Sequence, residues 1–425
     1  MSNEKRVDYS SLITHYQLVE TMQDVVVALD IGTTKVCALV GEIREGALQI
    51  IGMGLEPSRG MRKSMVVDVS EATLAIAKAV ERAEQTSGYD LSRALVSVAG
   101  EHIGSLNSRG MVAVGRAAPG ITTEDIERAL DAAQAISIPH NRQVLHLLPR
   151  SYAVDDQDDV RSPIGMYGYR LDVGAHIVTA ATPALLNLSK CAENVGIKVE
   201  EFVLNALASA EAVLEPAERE MGVIVADVGG GTTDVALYVQ GAIYHTAVVP
   251  LGGYHVTNDI AVGLRIAYDL AEKLKIQHGD CRPDKMDPNS TFTVEPFSGE
   301  QIQVGRQDLA TVIEARVEEI FQLIGESVRQ SGYEGLIPAG LVLTGGAVQL
   351  RGVTQVAQKV LGLPARVATP RNLVGLVDSL HSPAYATAVG LLRWAMAHHN
   401  GFRPRQPQPV LRGRFGRFIR ELLPG

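Results

Sequence analysis

Val25-Val26-Val27-Ala28-Leu29-Asp30-Ile31-Gly32-Thr33-Thr34-Lys35 runs on into Val36-Cys37-Ala38-Leu39-Val40. Far along the chain, Val223-Ile224-Val225-Ala226-Asp227-Val228-Gly229-Gly230-Gly231-Thr232-Thr233-Asp234 runs on into Val235-Ala236-Leu237-Tyr238-Val239. Both read strand, tight turn, strand: β-branched runs flank Gly and Thr, and no helical spacing follows the glycines. Glycine lets backbone come close to a ligand, so such a turn offers N–H groups and hydroxyls to phosphate oxygens. Asp30 and Asp227 open the two turns. A carboxylate there suits a hydrated Mg2+, which takes few protein ligands and keeps most of its waters; the alternative is that each aspartate only caps its own turn. One such hairpin says little. Two, separated by a domain's length of chain, imply two similar halves closing on one nucleotide.

A third stretch agrees: Gly340-Leu341-Val342-Leu343-Thr344-Gly345-Gly346-Ala347-Val348-Gln349-Leu350-Arg351-Gly352 is an apolar strand ending in a Gly-Gly turn, tight enough for a flat ring to lie on its backbone. Together the three resemble the phosphate loops and adenosine turn of the superfamily of actin, sugar kinases and heat-shock chaperones. The resemblance implies ATP with Mg2+, the ion organised through water by Asp30 and Asp227. Gly32, Thr33, Thr34, Gly229, Gly230, Gly231 and Thr232 are then the phosphate donors, and Gly345, Gly346 and Ala347 line the adenosine. Lys35 reads equally as a phosphate contact or a solvated loop lysine, and Asp234 as a brace for the second hairpin. Glu272 and Lys275 share a helical face three residues apart, which suits a ribose and base contact or an ordinary surface ion pair.

Composition sets the outer limits. The 425 residues suffice for two sizeable domains, and 46% hydrophobic with 20% charged residues is ordinary for a globular protein. A formal charge of -9 argues against a general nucleic-acid binder. Cys37, Cys191 and Cys281 show neither metal-ligand spacing nor pairing, which points to a reducing compartment. The stretch to Gln23 is polar and mixed in charge and reads as a leader without a secretory signal's apolar run. No stretch approaches the roughly 20 apolar residues of a spanning helix.

The C-terminal end departs from the acidic average. Residues 401–425 carry six arginines and one acid, Glu421; that net +5 leaves -14 on the rest. Pro404, Pro407 and Pro409 make 401–410 an extended linker. In 411–425, Leu411, Phe415, Phe418 and Leu422 share a helical face with Ile419 beside them, Leu423 follows, and Arg414, Arg417 and Arg420 occupy the remainder. A bulky apolar face with a cationic back is the pattern of an interfacial anchor, favoured by about 1 kcal/mol per basic residue near anionic lipid. Gly413 and Gly416 each weaken the helix by ~1 kcal/mol, so it is expected to form on lipid and not in water. The competing reading is a terminal helix packed on the body of the protein.

Nucleotide hairpins joined to an amphipathic end resemble the FtsA family of bacterial division proteins. Ser58-Arg59-Gly60-Met61 with Lys63, Arg142-Gln143-Val144-Leu145-His146-Leu147-Leu148-Pro149, Leu251-Gly252-Gly253 and Ser382-Pro383-Ala384-Tyr385-Ala386-Thr387-Ala388-Val389-Gly390-Leu391 resemble further segments of that family. The fold implied is α/β and actin-like: two RNase-H-like domains around a nucleotide cleft, with a small α/β subdomain inserted in the first. The first domain is expected over 24–104, 183–219 and 382–400, with the inserted self-assembly subdomain over 105–182. The second domain is expected over 220–250 and 336–381, with an outer part over 251–335 that carries a polar excursion at 278–303. The resemblance implies a protein that forms filaments with itself and sits on anionic lipid at the cytoplasmic face of the inner membrane. It also implies binding of the FtsZ C-terminal tail and recruitment of other division proteins. Arg306 and Arg316 are candidates for pairing with acids of that tail, and a solvated helix face is the alternative for each. Asn205 stands where faster ATPases of the superfamily place a glutamate, and an amide orients water but takes no proton. ATP hydrolysis is therefore expected to be slow or absent. The rival class is a soluble phosphotransferase or a pilus-type adaptor on the same fold.

Overall fold

The computed structural model describes residues 24–398 apart from 45, 116–119, 136–137 and 377. The predicted linker and the amphipathic segment at 411–425 lie outside the described residues.

Two sheets repeat one plan. The first runs Lys198–Leu204, Arg93–Val98, Asp24–Ile31, Lys35–Arg44, Ala47–Pro57 and Val374–Gly375. The second runs Ala365–Val367, Leu341–Thr344, Val223–Val228, Thr233–Val239 and Ala242–Val249. In each, three consecutive strands form an antiparallel meander, and two parallel strands are added beside the first of them. The opening strands are central and covered on both faces, which is why they read as unbroken apolar runs. All six residues of Val223–Val228 are buried.

Helices Asn205–Val213 and Ala386–His398 pack on each other between the sheets. Their contact is close: a Cβ on Gly390 would stand 1.7 Å from the Ala208 carbonyl oxygen. Val26, Ala28 and Leu39 of one sheet and Val225, Ala236 and Val342 of the other join these helices in one buried cluster. The halves are therefore tied by shared core and not by a linker alone.

The inserted subdomain is a four-stranded sheet in the order Ile103–Ala113, Arg170–Ala181, Arg142–Val154, Gln157–Val160. Helix Thr123–Gln134 opens on a capping box, with Thr122 and Asp125 capping each other reciprocally. The subdomain's first strand begins at Ile103. Polar residues there face the second half: Ser105 Oγ donates to the Thr246 carbonyl at 2.8 Å and Asn107 Nδ2 to the Tyr244 carbonyl at 3.2 Å.

Two boundaries differ from expectation. Residues 336–381 were assigned to the second half, but Val374 and Gly375 pair with Gln49 and Ile50 of the first sheet, and Leu380 is buried in the shared cluster. The segment 278–303 is not wholly an excursion. Thr291–Val294 pairs with Ile302–Gly305, and Cys281 and Val294 within it and Val304 just beyond it are buried in the second half's core, an anchoring that scattered apolar residues in a polar stretch do not announce.

Candidate nucleotide-binding site

The two turns predicted to hold phosphate have the same internal bond. Gly32 N–H donates to the Lys35 carbonyl and Gly229 N–H to the Thr232 carbonyl, each at 2.9 Å. Asp30 and Asp227 thus occupy matching places, one residue before the end of each opening strand.

Both carboxylates are buried and held by hydroxyls from distant elements. Ser97 Oγ donates to Asp30 Oδ1 at 2.8 Å and accepts from Ile31 N–H at 3.2 Å. Thr387 Oγ1 donates to Asp227 Oδ2 at 2.8 Å, and Ser209 Oγ donates to the same oxygen. Burial raises the pKa of both, opposed by the Lys35 charge and these hydrogen bonds; Asp30 is raised further by Asp227. Asp234 is pushed well above the carboxylate range by burial and then by Asp227; its Oδ2 accepts from Thr232 Oγ1 at 3.2 Å. Its buried Oδ1 has no partner among the described residues. Asp227 and Asp234 are register partners across the second hairpin, and three buried acids with one orphan oxygen suit a hydrated cation. Among the described residues no three such groups are placed to ligate an ion directly.

Lys35 is no free loop lysine. Its Nζ donates to the Ala384 carbonyl at 2.5 Å and lies 5.2 Å from the Tyr385 ring centroid. The Gly345 turn sits against the second hairpin: at φ +93, a Cβ there would stand 2.4 Å from Asp227 Oδ1, and Gly345 N–H donates to the Pro383 carbonyl at 3.1 Å. Gly346 lies beside Ala384. The hairpin also holds the start of helix Gly253–Leu264, since Gly229 and Gly230 carbonyls accept from Gly253 and Tyr254 N–H at 2.9 and 2.7 Å.

Lys275 is largely buried, and its Nζ bonds Glu272 Oε2 at 2.7 Å, Thr257 Oγ1 at 2.8 Å and the Gly253 carbonyl at 3.1 Å. This is an ion pair, but not a loose surface one. A Cβ on Gly253 would stand 3.2 Å from Ala347 and 3.6 Å from Lys275 Nζ. The Gly345 turn, the Glu272–Lys275 helix and the second hairpin therefore converge.

Thr33 and Thr232 meet through a residue that the sequence did not single out. Ser64 N–H donates to Thr33 Oγ1 at 3.0 Å, and Ser64 Oγ lies 3.1 Å from Thr232 Oγ1. Thr34 is exposed, and a Cβ on Gly230 would stand 2.4 Å from its Cγ2. Ser97, Ser209 and Thr387 were also missed. Each is a single hydroxyl in an apolar run, a signal visible only once burial is known.

Asn205 heads its helix one turn before Ser209, and its buried Oδ1 has no partner among the described residues. Glu211 does not reach toward the acids' cluster: Arg219 Nη1 donates to it at 2.7 Å. Of the two candidate partner residues, Arg306 Nη1 lies 3.1 Å from His278 Nδ1. Arg316 is forked onto Asp259 at 2.5 and 3.1 Å and also reaches Glu319, so its charge is matched within the chain.

The family model described as "Cell division protein FtsA" matches residues 224–390, and that of the "SHS2 domain inserted in FTSA" matches residues 100–179. Cell division protein FtsA of Pseudomonas aeruginosa is 44% identical over 374 residues, covering 87% of this chain and 89% of the relative. The Bacillus subtilis protein is 39% identical, with 87% of this chain and 83% of the relative covered, and the Escherichia coli K12 protein is 37% identical, with 89% and 92% covered. Among solved structures, the PilM-PilN type IV pilus biogenesis complex aligns at TM-score 0.64 and 15% identity, covering 88% of this chain and 99% of the other. MreB5 of Spiroplasma citri bound to ADP aligns at TM-score 0.53 and 14% identity, with 88% and 99% covered. The fold is thus actin-like with an SHS2 insert, and the chain belongs to the FtsA family of cell division proteins.

Proposed function

We propose that this division protein binds ATP with Mg2+ between its two hairpins, assembles with copies of itself, and ties FtsZ filaments to the cytoplasmic face of the inner membrane while gathering other division proteins. The observation that carries the nucleotide reading is the convergence of both aspartate-led turns, the Gly345 turn and Lys275 on one cleft. MreB5, of the same fold, was solved with ADP and with AMPPNP. Mg2+ would sit beside the three buried acids Asp30, Asp227 and Asp234, whose pKa values burial raises first of all. The Gly32 and Gly229 N–H groups are bonded within their own turns, so Thr33, Thr34, Gly230, Gly231 and Thr232 are left to donate to phosphate; Lys35 supplies a cation at the closing segment, and Glu272 and Lys275 flank the base side. ATP acts here as a conformational ligand that biases closure by its differential affinity for two states. The tether rests on the amphipathic pattern of 411–425. Arg306 and Arg316 remain the candidates for the FtsZ tail, Arg316 only by exchanging Asp259 for an acid of the peptide.

Liposome co-sedimentation tests the tether. The full chain should pellet with anionic vesicles and a chain ending at Val410 should not, whereas two soluble proteins would return the terminal segment to an ordinary helix. Calorimetric titration with ATP, with and without Mg2+, tests the cleft; no heat in either titration retires the nucleotide reading.

A further inference from the structure

The inserted subdomain belongs to the first half by chain and is held there firmly. Arg142 clasps the crossing: its Nη2 donates to the His102 and Thr179 carbonyls at 3.0 and 2.9 Å, and its Nε to Thr179 Oγ1 at 3.0 Å. Ala181 N–H also donates to the His102 carbonyl at 3.2 Å, and His146 Nε2 accepts from Leu204 N–H. The other side of the subdomain grips the second half. Strand Ala242–Val249 is an edge of the second sheet, and its pairing with Thr233–Val239 ties it to the Gly229 turn. A relay of hydrogen bonds starts and ends on that edge. Thr246 Oγ1 donates to His176 Nε2 at 2.9 Å, His176 Nδ1 to Asn107 Oδ1 at 2.7 Å, and Asn107 Nδ2 to the Tyr244 carbonyl at 3.2 Å. The last link sets these directions: an amide nitrogen only donates, so Asn107 Oδ1 accepts from the ring, and the neutral ring's other nitrogen accepts from Thr246. Ser105 Oγ adds a bond to the Thr246 carbonyl at 2.8 Å, and the Arg150 guanidinium lies 4.4 Å from the Tyr244 ring centroid. His176 and Thr246 are buried, so water competes little and each link strengthens the next.

We propose that this seam is a brace that couples the nucleotide cleft to the insert, so that closure of the cleft and seating of the insert are one equilibrium. In the conformation that seats the insert, the two halves also meet at the phosphate turns. Ser64 Oγ lies 3.1 Å from Thr232 Oγ1, and a Cβ on Gly231 would stand 2.9 Å from Lys63 Cα. Because Arg142 clasps the crossing, rotation of the halves away from each other pulls on the relay and not on the junction. The seam therefore favours the closed cleft, and a nucleotide that binds the closed cleft better tightens the seam in return. The linkage also works outward: a partner that prefers the seated insert raises nucleotide affinity by the same factor that nucleotide raises its own. The inference rests on the nucleotide reading above and adds to it the element through which that site is regulated.

The test titrates the full chain with ATP and Mg2+ by calorimetry, for wild type, Ser105→Ala, the double variant Ser105→Ala with Asn107→Ala, and Thr122→Ala. Hydrogen exchange across 242–249, read by mass spectrometry, reports the seam itself. The double variant should bind ATP roughly three- to ten-fold more weakly, the worth of one neutral hydrogen bond, and the single variant should show a smaller loss. In wild type, ATP should slow exchange across 242–249, and the double variant should lose that slowing. Thr122→Ala removes the cap of helix Thr123–Gln134 inside the insert and leaves the seam bonds in place. It should lower the melting temperature and leave ATP affinity unchanged. Wild-type affinity in both seam variants overturns the proposal, as does tighter binding, which would mean that the seam holds the cleft open. So does a loss in Thr122→Ala equal to that of the double variant, which would make the effect one of insert stability alone. No ATP binding by wild type is instead the failure of the nucleotide reading, and it takes this inference with it.

Discussion

At the scale of single residues, the cleft is organised by hydroxyls acting on buried acids. Asp227 matters twice, as a member of the acidic cluster and as the anchor of Ser209 and Thr387 on the two central helices. Gly345 fixes it from the other side. Gly345→Ala forces a Cβ to within 2.4 Å of Asp227 Oδ1 and 2.5 Å of the Val228 carbonyl at φ +93. The expected loss is about 2–4 kcal/mol of stability, together with at least a ten-fold weakening of ATP binding, read by thermal melting and calorimetry. Asn205 bears on turnover. Its amide oxygen is buried without a partner among the described residues, and an amide takes no proton from water. Steady-state ATP hydrolysis should therefore fall well below roughly 1 per second, the low end of ordinary enzymes. Phosphate release above that rate would show that another group supplies the base.

At the scale of elements, the decisive contact is between helices Asn205–Val213 and Ala386–His398. Each carries a hydroxyl to Asp227, so their spacing sets the geometry of the second hairpin. Gly390→Ala would push a methyl group onto backbone, 1.7 Å from the Ala208 oxygen and 2.3 Å from its carbonyl carbon. No side-chain rotation relieves that clash. The expected cost is about 3 kcal/mol or more, seen as a lower denaturant midpoint, and nucleotide affinity should fall with it. An unchanged midpoint would mean that the helices can separate freely.

At the scale of the whole molecule, the inserted subdomain is fastened to both halves by histidines that must stay neutral. His146 Nε2 accepts from Leu204 N–H at 3.0 Å, and burial lowers its pKa to about 4, with His398 adding to the shift. His176 lies between Asn107 and Thr246, at 2.7 and 2.9 Å. Its pKa is lowered to about 3 by burial first, then by His245, Arg150 and His146. Each takes up a proton more readily when unfolded, near the ordinary value of about 6.5. The stability they contribute is thus complete above about pH 6.5 and is lost as pH falls toward 4 for His146 and 3 for His176, by about 1.4 kcal/mol per pH unit per group. Denaturant midpoints measured from pH 7.5 down to pH 5 should fall, and His176→Asn should flatten the dependence. Asp30, Asp227 and Asp234 act in the opposite sense, since their raised values make their charge a cost that grows as pH rises.

Much of this was legible in the chain because it is local. The two aspartate-led hairpins and the Gly345 turn are each written within a dozen or so residues, where β-branched runs and glycine act directly on neighbouring backbone. Their pairing across the chain was enough to indicate an actin-like, duplicated architecture. What the tertiary structure alone decided is which groups face one another. Ser97 reaches Asp30, Ser209 and Thr387 reach Asp227, Ser64 bridges Thr33 to Thr232, and Arg316 is taken up by Asp259. Val374 and Gly375 likewise return to the first sheet. A lone hydroxyl or arginine has no period and no propensity that distinguishes a partner from solvent. Its role is set by burial and by side chains far away in sequence, quantities that come into being only when the chain has folded.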